Sequence, residues 1–203
     1  MFGRASTLSS IDPLLEKVSG RFQQATYKHV ASATGVDRDV SEGLFEHNDG
    51  AAIPILVVAE RRRLREIELR VYYATNGAQR KTRPPLLNGD EDVAIPQIVS
   101  HVLEALRKGA VERVLAAFEE SSRVVDPLGK IHSKRDGSMA TFISEIGGRI
   151  ELVPAGAADD GRTCCVEVVV TRQRPIQDPE PGALSFERGD SGLIRELRLY
   201  YEP

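Results

Sequence analysis

The sequence predicts an α+β fold written twice along one chain, helices followed by an antiparallel four-stranded meander, with the first copy incomplete. Three observations carry that expectation. ELRVYY at 68–73 returns as ELRLYY at 196–201, differing only in Val71 for Leu199. Ahead of each Tyr-Tyr pair stand short apolar and β-branched runs separated by turn signals, which is how hairpinned strands read. Ahead of those runs, apolar residues recur at helical spacing: Leu14, Leu15, Val18 and Phe22 in the first half, Met139, Phe142, Ile143 and Ile146 in the second.

Taken in order, SSIDPLLEKVSGRF (9–22) is expected to be a helix. YKHVASATG (27–35), GLFEHNDG (43–50), AAIPILVVA (51–59) and ELRVYY (68–73) follow as strands, the last two joined through RRRL. NGAQRKTRPPLLNGDED (76–92) is rich in proline, glycine and charge and reads as a linker. From 93 to 122 the apolar set Ile98, Val102, Leu103 and Leu106, then Gly109, then Val111, Val114, Leu115 and Phe118 predicts a helix, a break and a second helix. VVDPLG (124–129) and a further helix within 133–148 precede IELVPAGAA (150–158), CCVEVVVTR (164–172), ALSFE (183–187) and ELRLYY. Gly189-Asp190-Ser191-Gly192 supplies the last hairpin turn. Between the copies, YKHVASATG is matched with IELVPAGAA and GLFEHNDG with CCVEVVVTR. The layout is an incomplete module over 1–75, a linker over 76–92 and a complete module over 93–203, a usual domain size.

Composition narrows the function. A hydrophobic content of 41% supports a packed core, and a net charge of −3 offers no basic face for a phosphate backbone, so no nucleic-acid partner is expected. Arg61-Arg62-Arg63 is answered by Glu60, Glu66 and Glu68, as at a solvated sheet edge. No run of 18 apolar residues occurs and MFGRASTLSSIDP lacks the apolar stretch of a signal peptide, so a cytoplasmic protein without a membrane partner is expected. Cys164 and Cys165 are adjacent and read as buried thiols, since neighbours in a strand point to opposite faces. Four histidines without ligand spacing predict no metal site, and no motif calls for a cofactor.

The helix with its Leu106-Arg107-Lys108-Gly109 break, the VVDPLG segment and PGALSFERGDSGLIRELRLYY (181–201) resemble the nuclear transport factor 2-like superfamily, in its SnoaL-like and ketosteroid-isomerase-like branch. The resemblance spans 93–203, and the first copy is similar only to the later part of such a module. It implies a cone: a curved antiparallel sheet closed by amino-terminal helices, with a pocket between them. The lining would then be Val102, Leu106, Phe118, Leu184, Leu197, Leu199 and Tyr201, suited to a small apolar molecule of polyketide or steroid kind. Asp126 falls where the ketosteroid-isomerase-like segment carries its proton-shuttling aspartate, and the same residue also reads as a turn former before Pro127. The tyrosine and protonated aspartate that would stabilise an enolate oxygen fall on Val102 and Leu184, both apolar, which disfavours steroid isomerisation. His132, six residues beyond Asp126, reads either as its acid/base partner or as a loop histidine among Lys130, Ser133 and Lys134. His29 and His47, with Glu46, read as a cross-strand polar face.

Strand alternation puts Leu197, Leu199 and Tyr201 on one face and Glu196, Arg198 and Tyr200 on the other; Leu69, Val71 and Tyr73 oppose Arg70 and Tyr72 in the same way. Arg70, Tyr72, Arg198 and Tyr200 are therefore interface candidates, because Arg and Tyr are enriched where proteins meet. The resemblance implies pairing through this outer face, as a homodimer or as a pseudo-dimer within the chain. Three functional readings stand: a binding protein for a small apolar ligand, a SnoaL-like cyclase, isomerase or hydrolase with Asp126 as base, and an assembly protein without catalysis.

Overall fold

The computed structural model describes residues 25–47, 52–61, 67–73, 89, 92–172 and 178–201. The helix expected over 9–22 and nearly all of the 76–92 linker lie outside the described residues. Two sheets are present. The first has the order β1-β2-β3-β4, with β1 Ala25–Thr34, β2 Arg38–His47, β3 Ala52–Arg61 and β4 Ile67–Tyr73, all antiparallel. The second has the order β6-β5-β10-β9-β8-β7, with β5 Phe118–Val125, β6 Ile131–Ser133, β7 Ile150–Asp159, β8 Thr163–Arg172, β9 Glu180–Arg188 and β10 Ile194–Tyr200. Among the described residues, only β10 with β5 is a parallel pair.

Three helices cover one face of the second sheet. In α1 (Gln97–Arg107), Val99, Val102, Leu103 and Leu106 fall at i, i+3, i+4 and i+7 and are buried. Gly109, at φ +64°, takes the left-handed conformation that ends the helix, and the Leu106 carbonyl accepts N–H groups from Gly109 and Gly148. The short α2 (Val111–Ala116) and α3 (Ser138–Ile146) complete the layer, and Val114, Met139, Phe142 and Ile143 join the same core. That core continues through Leu184, Phe186, Leu197, Leu199 and Tyr201 of the sheet. Helices on one face of a curved, six-stranded, mostly antiparallel sheet are the arrangement expected of the nuclear transport factor 2-like cone.

The first sheet lies on the opposite face. A second apolar cluster joins Ala33, Val40, Leu56, Val58 and Tyr72 to Ala158, Cys165, Ala183 and Tyr200, so the sheets pack face to face. Their registers correspond. Glu42 lies opposite Leu56 and Leu56 opposite Tyr72; Glu167 lies opposite Ala183 and Ala183 opposite Tyr200. The β1–β2 ladder shifts at His29/Ala31 and the β7–β8 ladder at Pro154/Gly156, and β10 carries a further shift at Ile194/Glu196 against both of its neighbours. This register corrects the strand matching read from the sequence. It is Glu42, not Glu46, that stands where Glu167 stands; a slip of four residues keeps every side chain on its face, so alternation could not detect it.

Candidate functional site

Asp126 and His132 are held by the β5–β6 hairpin. The Asp126 carbonyl accepts the Gly129 N–H at 2.9 Å and the Asp126 N–H donates to the Lys130 carbonyl at 3.0 Å, with Gly129 at φ +82°. One Asp126 oxygen, Oδ1, accepts N–H groups from Leu128 and Lys130, each at 2.9 Å. The other, Oδ2, lies 3.0 Å from Nε2 of His132. Their side chains are 12% and 8% exposed, so the pair is largely out of water. His132 is thus an inward-facing strand residue opposite Val124, and its ring stacks on Phe142 at 4.3 Å and 17°.

Tyr201 stands near this pair. Its hydroxyl is pushed up to about 12, first by burial, with Arg172 opposing and the Asp126 charge adding to the rise. At neutral pH it is a neutral donor. Arg172 itself pairs with Glu180 at 3.3 Å. Val102, Leu106, Phe118, Leu184, Leu197 and Leu199 are buried and belong with Tyr201, Met139 and Ile143 to one core cluster.

The outer faces carry a second arrangement that the sequence pointed to only in part. Arg70 donates to Glu167 through Nε at 2.6 Å and Nη2 at 2.7 Å, to Glu68 at 2.7 Å and to Glu60 at 2.7 Å, while the Tyr72 hydroxyl donates to Glu167 at 2.5 Å. Across the same contact, Arg198 donates to Glu42 through Nε at 3.0 Å and Nη2 at 2.5 Å and to Glu196 at 2.6 Å, and the Tyr200 hydroxyl donates to Glu42 at 2.9 Å. Glu42 is 0% exposed. Burial alone would lower both guanidinium groups, and the carboxylates around them outweigh it and hold them charged. Tyr72 and Tyr200 are held neutral, first by burial and then by Glu167 and Glu42. The sequence reading missed Glu42 and Glu167; the available signal was a lone carboxylate inside an apolar strand, as in CCVEVVV, because a buried charge needs a partner.

Other candidates separate. His29 lies opposite Gly43, and Glu46 pairs with Lys28 at 3.0 Å on the other face of the sheet, so Glu46 does not join His29; the His47 side chain lies outside what is described. Cys164 is pushed up to about 12 and Cys165 is raised well above the usual thiol range, both chiefly by burial, and both are free thiols. Among the described residues no three His, Cys, Asp or Glu side chains come together as metal ligands, and no helix is long and apolar enough to cross a membrane.

No protein-family model matches the chain, and no curated protein matches it in sequence. Solved structures do resemble it. One is a nuclear transport factor 2-like protein of unknown function from Cytophaga hutchinsonii, at 12% identity and TM-score 0.45 over 55% of this chain and 93% of that one. Another, also of unknown function, is from Burkholderia pseudomallei, at 19% identity and TM-score 0.45 over 52% and 88%. A third is SalBIII, described as an epoxide hydrolase/cyclase-like enzyme in pyran-ring formation in the polyether salinomycin, at 17% identity and TM-score 0.46 over 52% and 88%. The fold rests on the strand order and helix placement above, and no activity is carried over from these proteins.

Proposed function

We propose that the region from 93 onward binds a small, largely apolar molecule at the open end of its cone, with the Asp126–His132 pair as the polar contact. The single observation behind this reading is a buried histidine–carboxylate pair, 3.0 Å apart, set against Phe142 at the mouth of an otherwise apolar core. Burying two polar side chains beside apolar ones costs stability unless they are paired. A structural turn needs only the Oδ1 contacts, so the ring is the part that the turn leaves unexplained. Polyketide- or steroid-like ring systems match an apolar surface with one polar end.

An enzymatic reading, as a cyclase, isomerase or hydrolase, is favoured by one detail and altered by another. Asp126 already accepts three hydrogen bonds, which leaves it poorly suited to collect a proton. His132 meets Asp126 through Nε2, and its Nδ1 has no hydrogen-bond partner among the described residues. In this reading His132 is the base and Asp126 orients it, with neutral Tyr201 as the nearby donor. The domain reading belongs here as well: 1–75 as a partial second module, 76–92 as a linker and 93–203 as the binding module, with the two paired within the chain.

The test is nuclear magnetic resonance titration of the full chain with a panel of steroids and aromatic polyketides, read alongside thermal shift. The chain has no tryptophan, so intrinsic indole fluorescence is no substitute. Binding should move resonances of 126–142 and 197–201 and should weaken at least tenfold in His132→Ala. A panel that leaves those resonances unmoved, or moves only β1–β4, overturns the reading.

A further inference from the structure

Positions that correspond by register on the two outer faces differ in one direction. Arg38 corresponds to Thr163, each opposite a glutamate, Glu60 and Glu187. Val40 lies opposite Val58 as Cys165 lies opposite Ser185. Leu56 lies opposite Tyr72 as Ala183 lies opposite Tyr200, and Ala31 lies opposite Glu42 as Gly156 lies opposite Glu167. At all five pairs the larger residue is on the first sheet: Arg over Thr, Val over Cys, Leu over Ala, Val over Ser and Ala over Gly.

These side chains meet in one place. Val40, Leu56 and Val58 belong to the same buried cluster as Cys165 and Ala183, and with Arg38 and Gly156 they surround a gap that admits no water. The Arg38 guanidinium lies over Gly156, where an added Cβ would stand 1.0 Å from Nη1. From there Arg38 comes within 3.8 Å of Glu167 and 3.8 Å of Glu60. Arg38 apart, the Arg70–Tyr72–Glu167 and Arg198–Tyr200–Glu42 groups do not distinguish the faces, since each face supplies to them one arginine, one tyrosine and one acceptor glutamate. Shape does. Two first-sheet faces would oppose bulky residues and set Arg38 against Ala31, whereas two second-sheet faces would oppose alanine, serine, cysteine and glycine across voids.

We propose that these outer faces are a size-matched, non-interchangeable pair: the partner that the second-sheet face accepts is the first sheet of this chain, and neither face accepts a copy of itself. The two sheets behave as lock and key rather than as halves of a symmetric contact.

The test is made in the full chain by exchanging volumes across the contact and following the thermal midpoint. Leu56→Ala alone opens a void and Ala183→Leu alone overpacks, and each should lower the midpoint by roughly 5–15 °C. Combined, they restore the summed volume and should recover at least half of the summed loss; Val40→Cys with Cys165→Val is a gentler exchange with the same expectation. Giving the first sheet the residues of the second, as Val40→Cys, Leu56→Ala and Val58→Ser together, creates a like-with-like contact and should lower the midpoint more than any single change. Additive losses in both exchanges, or a triple variant that melts with the wild type, overturn the proposal.

Discussion

Replacing Glu42 by glutamine tests the most deeply buried charge at the sheet contact. Glu42 is 0% exposed and accepts Arg198 at 3.0 and 2.5 Å and Tyr200 at 2.9 Å. Glutamine is nearly isosteric, so packing is kept while the charge is lost and an amide N–H group is turned toward the guanidinium. Removing one partner of a buried ion pair costs about 3–5 kcal/mol, because the other charge stays out of water. Arg198 retains Glu196 at 2.6 Å, which places Glu42→Gln at the lower end, about 3 kcal/mol. For a chain of this size that is a fall of roughly 6–12 °C in Tm. Urea unfolding followed by circular dichroism measures it directly. Glu167→Gln should cost less, since Arg70 keeps both Glu60 and Glu68 at 2.7 Å. A loss below about 1 kcal/mol for Glu42→Gln would mean that water reaches the contact, and would refute the face-to-face packing on which the energy was worked out.

Alkali should weaken the fold through Tyr201: its hydroxyl ionises near 10 when unfolded and about 12 when folded, so stability is intact below the lower value and falls by roughly 2–3 kcal/mol between them. Tyr201→Phe should flatten that limb in a pH series of urea midpoints. At the acid end, burial would raise Glu196, but Arg198 and Arg123 outweigh it and hold it below 4.5. Its contribution is therefore present above that value and lost as pH falls through the lower folded one, and Glu196→Gln should remove this dependence in acid titration followed by circular dichroism. Leu106→Ala removes a side chain 2% exposed at the centre of the helical layer and should cost about 2–5 kcal/mol in urea unfolding. Asp126→Ala should cost about 0.5–1.5 kcal/mol by exchanging the Leu128 and Lys130 hydrogen bonds for water, whereas Asp126→Asn, which can still accept them, should stay near wild type in the same assay.

Much of the architecture was legible in residue pattern. The break at Gly109, the Val102, Leu103 and Leu106 stripe of α1, and the alternation of ELRLYY each impose one solution, because a helix or strand with one apolar face must bury that face; within that stripe it is Val99 rather than the expected Ile98 that is fully buried. Strand matching between the halves was legible only up to an even slip. GLFEHNDG and CCVEVVVTR both carry a glutamate four places in, and alternation is satisfied by setting Glu46 over Glu167 or Glu42 over Glu167. What decides is a contact made between sheets, Glu42 with Arg198 and Tyr200, which lies more than a hundred residues away along the chain and leaves no local trace. The candidate site shows the same limit. VVDPLG marked Asp126, and the turn chemistry followed from its aspartate, proline and glycine. That His132 turns inward against Phe142 depends on β6 pairing with β5 so that His132 falls opposite Val124, a register that GKIHSKRDG alone does not specify.

The two sites are not mechanically separate. A Cβ at Gly129, in the turn that holds Asp126, would stand 4.0 Å from the Pro54 ring on β3, so the first sheet reaches the hairpin at the mouth of the cone. Pro54 lies one residue before Ile55 and two before Leu56, and β3 is thus pinned at one end by the size-matched contact and meets the DPLG turn at the other. A shift of β3 along the second sheet would have to move Leu56 out of its place beside Ala183 and would carry Pro54 away from the turn at the same time. The first sheet, which carries none of the candidate chemistry, thus borders the turn that carries Asp126. In a close-packed contact this coupling is set by shape, and the buried arginine–glutamate groups enforce it by making any partial opening strand a charge.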